Sequence, residues 1–314
     1  MSVREELLTK YMIRKTKAQK TAFIEYACER ASALGYSSRV EGNGDKLRNI
    51  VIGDLDGARV VYTAHYDTPP VMPFPNFITP RNFLIYFLYQ MAIVLLMLLV
   101  PMGIALALRY TVYAGVDTIL PLFIFLIIYY AELFLLMYGP ANKNNANDNT
   151  SGVLTVLEIM ERLSGKGLPV AFVLFDLEER GLVGSKYMAK QHKATLADKL
   201  VVNFDCVGDG DNVLFVARKG ARADMPLIKA AYTAADGFAP DFAERGVFYP
   251  SDQNSFKRAV GVATFNRGLF DILYTSRIHT GKDTVLEERN VNYLADGAVR
   301  LATEICTNPH PVSN

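Results

Sequence analysis

Arg59-Val60-Val61-Tyr62-Thr63-Ala64, followed at once by His65-Tyr66-Asp67-Thr68, is the stretch on which the fold turns. A short run rich in valine reads as a strand, and it ends on groups that bind metals and move protons. The pattern returns twice. Pro169 to Phe175 precedes Asp176-Leu177-Glu178-Glu179, and Leu200 to Phe204 precedes Asp205. Between the runs lie amphipathic stretches, Ala18 to Leu34 and Ser151 to Leu163. In the second, Val153, Val156, Leu157 and Met160 recur at three-to-four-residue spacing and form one apolar stripe. Strands alternating with helices make an α/β domain, in which ligands collect beyond the carboxyl ends of the strands. Chemistry-bearing residues from distant parts of the chain are therefore expected to meet there.

Two further segments carry such residues. Asp148 sits in the polar loop Asn144 to Thr150 immediately before a helix, and His279 lies in Arg277-Ile278-His279-Thr280-Gly281-Lys282-Asp283-Thr284. Imidazole nitrogens and carboxylate oxygens together suit zinc. Taken singly, each residue has an ordinary reading: Asp148 as a helix cap, Glu178 and Glu179 as a surface pair, His65 as a loop residue. Their combination gives them weight.

Five of these segments, in this order, resemble the zinc aminopeptidase and glutamate carboxypeptidase family with its paired metal ions: Ala64-His65-Tyr66-Asp67-Thr68, Asn147 to Gly152, Asp176 to Gly181, Asn203-Phe204-Asp205 and Ile278-His279-Thr280. The resemblance covers most of Val51 to Thr284 apart from one insertion. It implies a single domain with a mixed, mostly parallel central sheet flanked by helices. It further implies two zinc ions, Asp148 bridging them, with His65 and Asp205 completing one site and Glu179 and His279 the other. Glu178 is then the general base, and Asp67 orients His65. Asp283 is a candidate for the same service to His279, and Tyr249 a candidate donor to the oxyanion. Where the family often shows Ser-Asp-His, this chain reads Ser251-Asp252-Gln253.

The insertion has its own signature. Phe83 to Leu108 has no charge and only Gln90 as a strongly polar side chain, and Ile119 to Tyr138 has only Glu132. As helices they would reach roughly 39 Å and 30 Å at ~1.5 Å per residue, against a hydrocarbon core of about 30 Å. Arg109 to Thr118 connects them, and Pro101 and Pro121 are expected kinks or breaks. The expected organisation is a catalytic domain from residues 1–80 and 140–314, interrupted by a transmembrane hairpin over 81–139. An even number of spans returns the chain to the side it left. The Lys/Arg-rich start, without an apolar signal segment, places that side in the cytoplasm.

Composition narrows the partners. Of 314 residues 51% are hydrophobic and the formal net charge is +1, which argues against a disordered chain and against a nucleic-acid binder. The three cysteines, Cys28, Cys206 and Cys306, show no paired spacing. Gly208-Asp209-Gly210-Asp211 reads as a turn rather than a calcium loop. His192 and His310 receive no role. The expected substrate is a peptide or small amide attacked at its amino terminus, with a carboxypeptidase as the alternative; neither Arg267 nor Arg277 can be placed in a pocket from sequence. A catalytically dead receptor or scaffold and a one-zinc glutamine cyclase are the rival readings. The hairpin is a membrane anchor, or otherwise a lid or an oligomer interface, because so large an apolar surface needs a partner.

Overall fold

In the computed structural model, which describes residues 1–116, 118–235 and 237–307, every residue of the Val60–His65 strand is buried. This strand, β3, lies inside a nine-stranded sheet with β1 (Ser38–Gly42), β2 (Arg48–Ile52), β4 (Val170–Phe175), β5 (Leu200–Phe204), β6 (Asn212–Ala217), β7 (Asp241–Ala243), β8 (Ala259–Arg267) and β9 (Leu273–Tyr274). Their order is β1-β2-β4-β3-β5-β8-β6-β7, with β9 on β8. The central four, β4, β3, β5 and β8, run parallel, while β2 and β6 join them antiparallel, so the sheet is mixed with a parallel centre. His65 is the last residue of β3, level with Phe175 of β4, one residue later than the sequence pattern ends the strand.

Alternating side chains explain the burial on both faces. Val60, Tyr62 and Ala64 join a core with α2 (Lys17–Ala33), α5 (Gly152–Leu163), α7 (Met225–Ala231) and α8 (Glu288–Thr307). Val61 faces the other way, into a smaller cluster with Ala171, Val173, Val201 and Met188 of α6 (Val183–Gln191). The predicted stripe of α5 is fully inside, and Leu154 and Ile159 widen it into a face packed against sheet and α8. Both α1 (Val3–Thr9) and α2 begin with reciprocal capping boxes, Ser2 with Glu5 and Thr16 with Gln19.

The hairpin consists of α3 (Phe83–Thr111) and α4 (Leu120–Tyr138), two helices long and apolar enough to cross a membrane. Neither proline breaks its helix: Pro101 lies inside a continuous α3, and Pro121 occupies the first turn of α4, where its missing N–H has no partner to lose. The helix also continues three residues past Leu108. Pro101, Ala105 and Pro121 are the buried residues of the pair, small side chains that let the helices approach.

The neck of the hairpin closes where Pro70 bridges Ala141, with Val71 N donating to Pro140 O at 2.9 Å and Asn142 N to Pro69 O at 2.9 Å. Below it, Met72 N donates to His279 O (2.7 Å), Asn76 N to Ile278 O (3.2 Å), and Ile78 bridges Thr275. Aromatic contacts brace the first helix: Tyr86 lies 5.0 Å from Phe248 and Tyr89 lies 5.3 Å from Phe77. The insertion is thus sewn to the loop that carries His279.

Candidate metal centre

Five residues predicted as ligands come together at the carboxyl ends of β3, β4 and β5. Asp148 stands at their middle, in the segment Ala146–Ser151 that leads into α5, where its own backbone is non-helical (φ −109°, ψ 94°). One of its oxygens, Oδ1, lies 3.3 Å from His65 Nε2, and Asp205 Oδ1 lies 3.6 Å from that nitrogen. The other, Oδ2, lies 3.1 Å from His279 Nε2, which is 3.4 Å from Glu179 Oε2. Two imidazole–carboxylate groups therefore share one carboxylate, one group on each of its oxygens.

Side-chain hydrogen bonds hold the Asp148 loop in place. Asn149 Nδ2 donates to Phe204 O (3.0 Å), while its Oδ1 accepts from Gly152 N (3.0 Å) and Cys206 N (3.2 Å). Asn147 Oδ1 accepts from Gly208 N at 2.7 Å and Asp209 N at 3.2 Å. Gly152 has to be glycine because an added Cβ would run into the Phe204 carbonyl. The asparagines flanking Asp148 thus fix it against the segment that carries Asp205. Ligand-bearing segments also hold rare backbone conformations: Leu177 before Glu178, Cys206 after Asp205, and His279 itself have φ of 57°, 55° and 63°. Such left-handed residues cost about 1–3 kcal/mol each and gather where geometry serves a site.

Asp205 is oriented by a relay of donors. The Thr63 hydroxyl donates to Asn203 Oδ1 (2.8 Å), Asn203 Nδ2 to Ser251 Oγ (2.9 Å), and the Ser251 hydroxyl to Asp205 Oδ2 (2.5 Å). Asp205 Oδ1 is left buried without a hydrogen-bond partner, as is Glu179 Oε1. Orphaned buried oxygens of carboxylates that also face imidazoles fit a site built for cations. A second grouping, Asp148, Asp205 and the Cys206 thiol, also has its ligand atoms within 4.8 Å of one another. Burial and the charges of Asp148 and Asp205 push that thiol well above its ordinary value.

Around the ligands, Asp67 Oδ1 lies 3.5 Å from His65 Nδ1 and its carboxylate accepts from Glu178 N (3.0 Å) and Glu179 N (3.3 Å). It therefore faces the ring and anchors the acidic turn at once. Burial opposes ionisation of Asp67 and Asp148, but the neighbouring imidazoles outweigh it and hold both carboxyls below their ordinary values. Glu178 follows the opposite rule: burial pushes its carboxyl well up, and the charges of Glu179, Asp252 and Asp205 add to this against the pull of His65.

Two expected roles are placed differently. Asp283 does not accept from the His279 ring, whose Nδ1 has no hydrogen-bond partner. Its oxygens accept from Asn147 N (2.7 Å) and Asp148 N (3.0 Å), so it buttresses the bridging residue; burial and the Asp148 charge raise its carboxyl to about 7. Tyr249 is buried behind Asp205 and donates its hydroxyl to the Asp205 carbonyl (2.9 Å), which turns the donor away from any oxyanion. Gln253, where the family motif has histidine, is buried too and donates to Tyr249 O at 2.9 Å.

Arg14 is a functional residue with no signal in the sequence. It is fully buried, its Nε bonds the Tyr66 carbonyl, and its guanidinium reaches Thr150 Oγ1 at 3.1 Å, while its own N–H donates to Thr68 Oγ1 at 2.9 Å. One side chain thereby ties the His65 segment to the Asp148 segment. Burial lowers the guanidinium to about 10 against the attraction of Asp67 and Asp148. Nothing in its neighbours Lys10, Lys15 and Lys17 distinguishes it. Arg267 and Arg277 are engaged away from the ligands, on Asn212 and Asp209. His192 pairs with Glu41 at 2.6 Å, and His310 lies outside the described residues.

Residues 130–298 match the sequence model of peptidase family M28. No curated protein sequence matches the chain. Among solved structures, the LapA aminopeptidase of Legionella pneumophila is similar with a TM-score of 0.60 and 16% identity, over 98% of this chain and 71% of that one. A glutaminyl cyclase of Porphyromonas gingivalis aligns at 0.58 and 16% (96% and 95% covered), and a leucine aminopeptidase precursor of Bacteroides thetaiotaomicron at 0.57 and 14% (95% and 93%). At such identities the likeness is one of fold.

Proposed function

The chain belongs to peptidase family M28, and from that premise we propose that it is a two-zinc aminopeptidase held at a membrane by its hairpin. The observation that carries the reading is the double-faced Asp148, with a histidine and a second carboxylate at each oxygen. His65, Asp148 and Asp205 would hold one ion, and Asp148, Glu179 and His279 the other. When bound, a zinc pair lowers the pKa of water and polarises the scissile carbonyl.

The chain's own residues do the rest. Glu178, beside the ligands on the turn that Asp67 anchors, accepts the proton of the attacking water and returns it to the leaving amine. Asp67 faces the Nδ1 side of the His65 ring, leaving Nε2 toward the cluster, and holds the backbone of Glu178 in reach. Ser251 and Asn203 fix the angle of the Asp205 carboxylate. The intact His65–Asp205 half favours a two-metal hydrolase over a one-metal glutamine cyclase.

The hairpin supports the membrane part of the proposal. Its neck carries Arg81 and Lys143, whereas Arg109 alone stands toward the far end, a charge bias that favours a cytoplasmic catalytic domain. The reading is tested by product analysis of a mixed peptide library with zinc-loaded protein. Release of single amino-terminal residues supports it; shortening from the carboxyl end, or pyroglutamate formation without chain shortening, contradicts it.

A further inference from the structure

A groove of about 1010 Å³ opens beside the metal centre, between the start of α2, the turn joining β1 to β2, and α6. Its walls carry eight cationic side chains and only two carboxylates. Each carboxylate is already paired, Asp45 with Lys17 at 2.5 Å and the buried Asp176 with Lys20. Lys15, Lys46, Arg48, Arg180, Lys186 and Lys190 make no salt bridge with any described residue. The whole chain has a net charge of +1, so six cations outside any salt bridge among the described residues are a local segregation of charge in one concavity. Gathering like charges costs stability through repulsion, and a concave wall focuses their field on whatever enters.

The position of the groove says what enters. A narrower cleft bounded by Asp67, Thr68, Met137 and Glu179 shares Lys15, Lys20, Leu177 and Arg180 with it, so groove and metal centre have a common wall. Arg180 directly follows Glu179 on one short turn, Glu178–Arg180. The volume is at the upper end of what a single small ligand needs, which leaves room for several residues of an extended peptide. A bilayer surface would meet a flat or convex face. Of the six free cations, Arg180 alone has a described ring contact with the hairpin, 4.8 Å from the Tyr138 ring at its foot.

Resting on the exopeptidase reading above, we propose that this groove binds carboxylates of the peptide substrate beyond the scissile bond and makes the enzyme selective for acidic peptides. The carboxylates come from aspartate and glutamate side chains or from the free carboxyl terminus of a short peptide. Both present the same charge to the same lysines.

The test uses the full chain, zinc-loaded, in a non-ionic detergent. Four five-residue peptides share a first residue, carry Glu-Glu or Gln-Gln after it, and end in a free or amidated carboxyl. The Glu peptides are expected to have a kcat/KM about 10-fold higher at low salt, carried by KM and nearly lost at ~0.5 M salt. The free-versus-amide arms separate side-chain from terminal carboxylates. Reversing two exposed cations, K46E with K190E, should bring the Glu/Gln ratio to parity or below. Binding of the same peptides, labelled at the far end and read by anisotropy in E178Q, should show the same preference without turnover. If no peptide is cleaved yet this preference persists, the exopeptidase reading falls and the acidic-peptide groove stands. Equal KM and equal binding for Glu and Gln peptides would overturn the proposal. So would a double reversal that lowers both peptides alike, or one that leaves the Glu/Gln ratio intact.

Discussion

Tyr62 in β3 and Ile127 in α4 are both large and largely apolar, yet the first is 0% exposed and the second 67%. The contrast extends over their surroundings. In the sheet, the chain itself supplies the apolar partner for each face, from α2, α5 and α8 on one side and α6 on the other. In the hairpin, Leu84, Leu95, Leu99, Phe134 and Leu135 all point outward, and two helices can cover only one stripe of each other. The same hydrophobic physics therefore closes one region and leaves the other with a large apolar surface that no part of the described chain covers. Between them lies the neck, where Met72 binds the backbone of His279, so the outward-facing region ends at the residue that completes the inward-facing site.

The sharpest way to break this comparison is to remove one side of it. Replacing 83–138 with a short Gly/Ser linker should move the protein wholly from the membrane fraction to the soluble fraction while zinc content is kept, because the neck closes on its own backbone pairs. Loss of folding, seen as protease sensitivity of the catalytic domain, would mean the hairpin is part of the core. Next in size, Glu178→Gln should lower turnover by roughly 10²–10⁴ with metal content and membrane association unchanged; normal turnover would move the base elsewhere. Ser251→Ala cuts the donor to Asp205 and should cost roughly 10–100-fold in metal affinity or activity. A loss smaller than twofold in zinc titration would leave the relay without function. Smallest, Tyr138→Ala removes the ring under Arg180 and should change stability by only about 0.5–1 kcal/mol; a Tm drop beyond about 8 °C would mark the hairpin foot as a structural support of the Glu179 turn.

The two regions also differed in how much the sequence disclosed. His65 and Asp205 are legible because each closes or directly follows a short apolar run, and Glu179 because it lies four residues past another, and strand ends on one edge of a parallel sheet must meet. The hairpin was legible from hydropathy alone, although a helix that tolerates Pro101 and runs past Arg109 to Thr111 shows that polarity does not mark its end. Arg14 was hidden, since a buried arginine among surface lysines has no signature in one dimension. Asp283 was assigned to the ring nearest in sequence, but its carboxylate turns to the backbone of Asn147 and Asp148 far along the chain. The basic groove was scattered from Lys15 to Lys190 and exists only once α2, the β1–β2 turn and α6 are assembled.

The central claim is that Asp148 joins two metal sites, and zinc counting on purified full-length protein and on Asp148→Ala tests it most directly. The wild type should hold two zinc ions per chain and the variant close to none, because both sites lose the same ligand. One zinc in the wild type, or unchanged zinc in the variant, would contradict the paired centre.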